Sequence, residues 1–243
     1  SEEKLKRLFR YRWVFLGTAF LEGAFISGSV ACGWAKEASD IDILVVAKKG
    51  RIWTTRLFLT LWTSMLGIRR EGNEIANQIC LNHYITEESL AIPFQSLYNT
   101  KTYINLIPLI NRNDVFEKFF QKNRWIWQYL YPTSDVGQSD GYLYKFPVSK
   151  FLEWWMKIDR GVDEFVLSGF LGDIFERIAR RVQLYFIAKN PLTGKPGGRI
   201  HTGDFQLEFH PQSKEQKILL CYNKKLQRLG LREFYPERDS GLK

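Results

Sequence analysis

Apolar residues recur at two different periods along this chain, and the switches between them outline its elements. Over residues 4–20, Leu5, Leu8, Phe9, Trp13 and Leu16 fall at helical spacing, with Lys4, Lys6, Arg7 and Arg10 on the opposite, solvated side. Residues 24–27 form a short apolar run that reads as a strand, and Val30 begins a short helical stretch towards Trp34. From Asp40 the pattern alternates. Asp40 and Asp42 point to one face, Ile41 and Ile43 to the other, and the run continues through Leu44, Val45 and Val46 as a strand. Residues 51–66 return to the helical period through Ile52, Leu57, Leu61 and Leu66, with Gly67 as the stop. Residues 78–85 (QICLNHYI) read as the next strand. Strict alternation puts Ile79, Leu81, His83 and Ile85 on one face and Gln78, Cys80, Asn82 and Tyr84 on the other.

The second half is more helical. A helix is expected near residues 100–106, ended by Pro108. Another is expected over 114–130, whose stripe of Val115, Phe116, Phe119, Phe120, Trp125, Trp127 and Leu130 suits a core. Pro, Gly, Ser and Asp crowd residues 132–147, which read as a linker. Helices follow at 151–158 and 165–190, with Gly161 and Gly169 as turn sites. Residues 191–202 (PLTGKPGGRIHT) read as a turn-rich connector offering Lys195, Arg199 and His201. A short strand at 204–209 and a basic helix at 213–229 precede a frayed tail, PERDSGLK. The expected class is α+β: a small mixed sheet flanked by helices over residues 1–135, then a mainly helical module over 136–243.

Composition narrows the partners. A formal charge of +9 and a pI near 9.4 favour an anionic partner such as nucleic acid, nucleotide or a membrane surface. No apolar run is long enough to span a bilayer and no segment reads as a signal peptide, so no membrane partner is expected. Cys32, Cys80 and Cys221 are widely spaced without a CxxC pair, which argues against a zinc ribbon or a disulfide framework. Reduced thiols and a cytoplasmic location are the simple expectation.

The chemistry concentrates in residues 26–46. Two carboxylates held side by side repel, and tolerate each other through a cation or a shared proton. Oxygen donors suit Mg²⁺ or Mn²⁺, so Asp40 and Asp42 are the candidate metal ligands. Gly28-Ser29 ahead of a helix start offers backbone N–H groups to an anion, and Ser29 adds a hydroxyl. In the intervening GWAKEAS loop, Lys36 can offset phosphate charge and Ser39 can fix the turn. Arg51, Arg56, Arg69 and Arg70 form a basic flank suited to a triphosphate or an RNA backbone.

An apolar residue, Gly28-Ser29, about ten residues, then Asp40-Ile41-Asp42-Ile43 resembles the signature of the nucleotidyltransferase superfamily related to DNA polymerase beta. The small, stand-alone members are the most similar. The resemblance implies a nucleotidyltransferase domain in the first half. Gly28, Ser29, Lys36 and Ser39 would hold a nucleoside triphosphate, and Asp40 and Asp42 would hold metal ions. It also implies a third acid on the neighbouring strand, and residues 78–85 contain none. Asn82 is the best positional substitute; it can orient a hydroxyl or ligate weakly but cannot act as a base. His83 would serve as a base if it faced the site, and Glu71 and Glu74 are nearby acids in the preceding loop. The activity so implied is transfer of a nucleoside monophosphate from the triphosphate to an acceptor hydroxyl, on RNA, a protein or a small molecule. The missing acid leaves two alternatives. One is a nucleotide- or RNA-binding protein with reduced turnover; the other is a toxin–antitoxin type component that works with a partner protein.

Overall fold

The computed structural model describes residues 1–70, 75–128, 149–191, 193, 199–210 and 215–231. Glu71, Glu74, the linker at 132–147, Lys195 and the PERDSGLK tail lie outside them, as does the domain boundary expected at 135/136.

The stripe at the N-terminus forms two helices, α1 (Glu2–Arg10) and α2 (Arg12–Gly17). The chain leaves helical geometry at Tyr11 (φ −101°, ψ 11°), which lets both apolar faces reach the same core. Strand β1 (Leu21–Ile26) leads into a single helical turn, α3 (Gly28–Ala31), which starts at Gly28 rather than at Val30. Strand β2 (Ile41–Ala47) and helix α4 (Ile52–Met65) follow, then β3 (Ile79–Thr86). Helix α5 (Leu97–Tyr103) is capped by Ser96, whose hydroxyl accepts from the Asn99 N–H at 3.1 Å.

Pro108 does not merely stop that helix. It lies in a further strand, β4 (Ile107–Asn111), at one edge of the sheet. Proline is tolerated there because an edge strand has one side without a ladder partner. The aromatic stripe then splits into α6 (Val115–Lys122) and α7 (Trp125–Gln128). The break is at Asn123, whose fully buried amide accepts from the Ile92 N–H and donates to the carbonyls of Leu90 and Phe119, each at 2.8 Å.

Helix α8 (Lys150–Val166) is longer than the sequence pattern suggests and runs through Gly161, and α9 (Gly169–Lys189) starts four residues later than expected, with Gly169 (φ +64°) at the junction. Part of the expected 191–202 connector is strand β5 (Arg199–Thr202), which pairs with β6 (Gln206–His210). Helix α10 (Glu215–Arg228) completes the described chain. Among the described residues no helix is long and apolar enough to cross a membrane.

The architecture is α+β, a six-stranded mixed sheet of order β4-β1-β2-β3-β6-β5 with helices on both faces. Only the β2–β3 pair is parallel among these neighbours. One face is covered by α1, α2 and α4 over Ile41, Ile43, Val45 and Tyr84. The other buries Phe25, Leu44, Val46 and Ile85 under Phe116, Phe119 and Trp125. Two carboxylates tie the C-terminal helices to the first half. Glu176 of α9 accepts from the Trp53 and Thr54 N–H groups at 2.9 and 2.8 Å, satisfying the start of α4, and Glu164 of α8 accepts from the Phe20 N–H at 2.9 Å.

Candidate active site

The site forms where β2 begins. Ile41 and Ile43 are fully buried in the first core cluster, so the alternating strand turns Asp40 and Asp42 to the opposite side. The parallel pairing with β3 aligns Asp42 with Cys80, and carboxylate oxygens of Asp40 and Asp42 and the Cys80 sulfur all lie within 4.8 Å of one another. Neither cysteine chemistry nor this position follows from spacing along the chain. The available signal was that Cys80 shares a strand face with Asn82.

The register then slips. Asp42 pairs with Cys80 but Leu44 pairs with His83, so two residues of β2 span three of β3. This bulge overturns the strict alternation expected of residues 78–85. Leu81 and Tyr84 pack in the first core cluster, whereas Asn82 turns to Asp42, its Nδ2 donating to Asp42 Oδ1 at 2.9 Å. His83 falls on the second core face, buried, with Nδ1 at 2.8 Å from the Tyr103 hydroxyl and Nε2 at 3.1 Å from the Gln206 amide nitrogen. Burial holds its pKa well below the usual histidine value. His83 is therefore a neutral, packed group and not a base for this site.

The Gly28-Ser29 turn lies directly against the carboxylates. The Ser27 N–H donates to the Asp42 carbonyl at 2.9 Å. Gly28 has φ +65°, and a Cβ there would sit 2.9 Å from Asp42 Oδ2. Glycine is required twice over, for its left-handed backbone and for the close approach. No side chain caps the start of the α3 turn among the described residues, and N–H groups at a helix start are the kind that accept an anion as partner.

Electrostatics at the pair are asymmetric. Asp42 is pushed up to about 6, first by burial and then by the Asp40 charge, against the opposing effects of Asn82 and Arg70. Arg70 makes an ion pair with Asp40, Nη1 to Oδ2 at 2.6 Å, and its Nη1 is 3.8 Å from the Cys80 sulfur. Burial and both aspartates push the Cys80 thiol well up, which keeps it protonated at neutral pH. Two oxygen donors that repel each other fit a hard divalent ion. The neutral thiol beside them adds no ligand to such an ion, and would join the set only as a thiolate on a softer metal.

The remaining sequence candidates divide. Ser39 fixes its loop: its Oγ accepts from the Lys36 N–H at 3.0 Å, and its carbonyl accepts from Lys4 Nζ at 2.8 Å. The Lys36 side chain is exposed on that loop. Arg51 is not in the site. It stands beyond the far end of β2 and pairs with Asp173 at 2.8 Å. Arg199 is held by Glu208 and Glu215 at 2.8 and 2.6 Å.

Lys4 departs most from expectation. It is buried rather than solvated, and besides Ser39 its ammonium reaches the Glu37 carbonyl at 2.8 Å and Asn77 Oδ1 at 2.6 Å. It pins the loop that delivers Asp40. Two aromatic residues also border the site unannounced by any spacing. Tyr98 has its phenol raised by burial and then by Asp42. Trp34 is 70% exposed, with the Lys101 ammonium 5.3 Å from its ring centre. Comparison of the chain with protein-family models, with curated proteins and with solved structures finds no match.

Proposed function

We propose that this protein is a metal-dependent nucleotidyltransferase that moves a nucleoside monophosphate from a nucleoside triphosphate to an acceptor hydroxyl. The observation that carries the reading is the packing of the Gly28 turn on the Asp42 carboxylate, with Asp40 alongside. An anion-accepting turn and a repelling acid pair in contact make a place for a phosphate chain and the cations that accompany it. Asp40 and Asp42 would hold Mg²⁺ or Mn²⁺, which when bound supplies charge neutralisation at the triphosphate.

This chain's own residues do the rest. The α3 backbone and Ser29 orient the phosphates. Asn82 holds Asp42 in place through its amide. Arg70, held on Asp40, would offer a guanidinium to a phosphate oxygen if that pair opened. Trp34 and Lys101 offer an exposed indole face and a cation beside the turn.

Incubation with α-labelled triphosphates, Mg²⁺ or Mn²⁺ and candidate acceptors tests this. Label should move to an acceptor with the wild type and not with Asp40→Asn or Asp42→Asn. Equal silence of all three, with nucleotide binding retained, selects a second reading, a nucleotide- or RNA-binding protein with little turnover. The occupancy of the third-acid position by an amide, and the Arg70 ion pair on Asp40, are the observations that favour it. A cytoplasmic setting remains part of the proposal on the strength of the unpaired cysteines, and a partner protein on the strength of the family resemblance.

A further inference from the structure

Strand β6 pairs with β3 only across His83, Tyr84 and Ile85. Beyond the bulge the strands part, and the C-terminal half of α9 spans the gap towards α4. The result is a cleft of about 720 Å³, within the range of small-molecule sites. Arg70, Cys80 and Asn82 are among its lining residues, the same side chains that neighbour Asp40 and Asp42. Its walls are largely apolar, among them Leu57, Val182, Phe186, Ile187 and Phe209.

One polar group in this cleft stands out. Arg56 projects from α4 with its guanidinium 4.6 Å from the Phe209 ring centre and 6.0 Å from that of Tyr84. Its Nη1 donates to Gln183 Oε1, and Gln183 is itself buried and held by the Trp53 carbonyl at 2.8 Å. The Arg56 Nε is buried with no hydrogen-bond partner. Among the described residues no carboxylate pairs with Arg56, and Arg69 adds a second positive charge nearby. Burial lowers its pKa, with Arg69 adding to that and Tyr84 opposing it, and a guanidinium stays charged in proteins. A desolvated cation with an open donor and no counter-charge is costly unless something anionic completes it.

We propose that this cleft binds a small amphipathic molecule whose anionic group, a phosphate or carboxylate, pairs with Arg56 while its apolar body lies along α9 and Phe209. A polynucleotide suits it less well, because a strand needs cations spaced along its track and aromatic faces for successive bases. Here the positive charge is gathered at one place between aliphatic walls. Its service as the acceptor pocket rests on the transferase reading; the binding itself does not.

Calorimetry with 1-naphthyl phosphate, neutral 1-naphthol and oligoadenylate tests it. One naphthyl phosphate should bind per chain, at least ten-fold more tightly than naphthol. Arg56→Met keeps the side-chain stem and should weaken the phosphate about ten- to a hundred-fold, as expected for loss of a hydrogen-bonded charge, while leaving naphthol unchanged. Circular dichroism and thermal unfolding check that this variant is folded; Arg56→Lys, which keeps the charge, should lose less. Asp42→Asn should bind the phosphate as well as the wild type or better, even where no transfer activity exists. Phosphate binding that is absent, or unaffected by Arg56→Met, overturns the proposal. Oligoadenylate that binds more tightly than naphthyl phosphate and is lost with Arg56→Met also overturns it in favour of a strand.

Discussion

Removing the Asp42 charge should stabilise the metal-free protein while destroying its proposed activity. Asp42 has an ordinary value of 3.8 in the unfolded chain and about 6 when folded. Between those values the native state binds more protons than the unfolded state, so this group's contribution to stability falls as pH rises from about 4 to 6. Above that window the folded protein carries the full cost. At about 1.4 kcal/mol per pKa unit the ceiling is about 3 kcal/mol. Partial solvent access and relaxation around the site reduce the expected effect to about 1–2 kcal/mol.

Asp42→Asn keeps the oxygen that accepts from Asn82 and has the shape of the protonated acid. In EDTA at pH 8 it should therefore melt about 2–8 °C above the wild type, given about 2–4 °C per kcal/mol at this chain length. At pH 4 the two should coincide. Comparing the variant with the wild type at each pH matters, because the buried, neutral His83 destabilises the fold of both as pH falls. Saturating Mg²⁺ should reverse the order at pH 8, since an ion at a hundred times its Kd adds about 3 kcal/mol to the wild type alone. Thermal unfolding at both pH values, with and without the ion, measures all of this. A wild type more stable than Asp42→Asn at pH 8 in EDTA would refute the reasoning about burial and repulsion at the pair.

Other substitutions probe the neighbours of that carboxylate. Gly28→Ala forces a Cβ into a left-handed backbone and against Asp42 Oδ2; it should cost about 1–3 kcal/mol in urea unfolding and lower transfer about a hundred-fold. An alanine variant with unchanged kinetics would show that the turn does not set the Asp42 position. Asn82→Asp restores an acid beside Asp42 and should raise metal-dependent transfer at least ten-fold while lowering the melting temperature in EDTA. No gain in rate would remove position 82 from the third acid's place. Lys4→Met leaves the Glu37 and Ser39 carbonyls and Asn77 without their shared donor; it should cost about 2–4 kcal/mol and open residues 33–39 to limited proteolysis. Equal protease resistance in variant and wild type would count against Lys4 as the anchor of that loop.

Periodicity along the chain was enough to find most helices and strands, and to put Asp40 and Asp42 together with Ile41 and Ile43 opposite. Side-chain direction in a strand is a local property, so a few residues suffice to read it. The breaks at Tyr11 and Asn123 were not legible, because each depends on which core the two halves of a continuous apolar stripe must reach. Strand β4 was hidden for a similar reason. Pro108 speaks against a strand until the fold places it at an edge.

The site itself was half legible. The glycine turn and the acid pair are contiguous in sequence, and their contact follows from one short stretch. What surrounds them was decided by tertiary structure. A bulge in β3, created by its pairing with β2, moves His83 and Ile85 onto the face of Asn82 and Tyr84 onto the face of Leu81, where strict alternation pairs them the other way round. Lys4 looked like one more surface charge because its acceptors lie 33 to 73 residues away. Arg56 looked like one of several arginines because Gln183, its holder, is 127 residues away. A sequence reports the polarity of each face from its near neighbours; whether a charge on that face meets water, a carbonyl or another charge depends on segments that come together only when the chain folds.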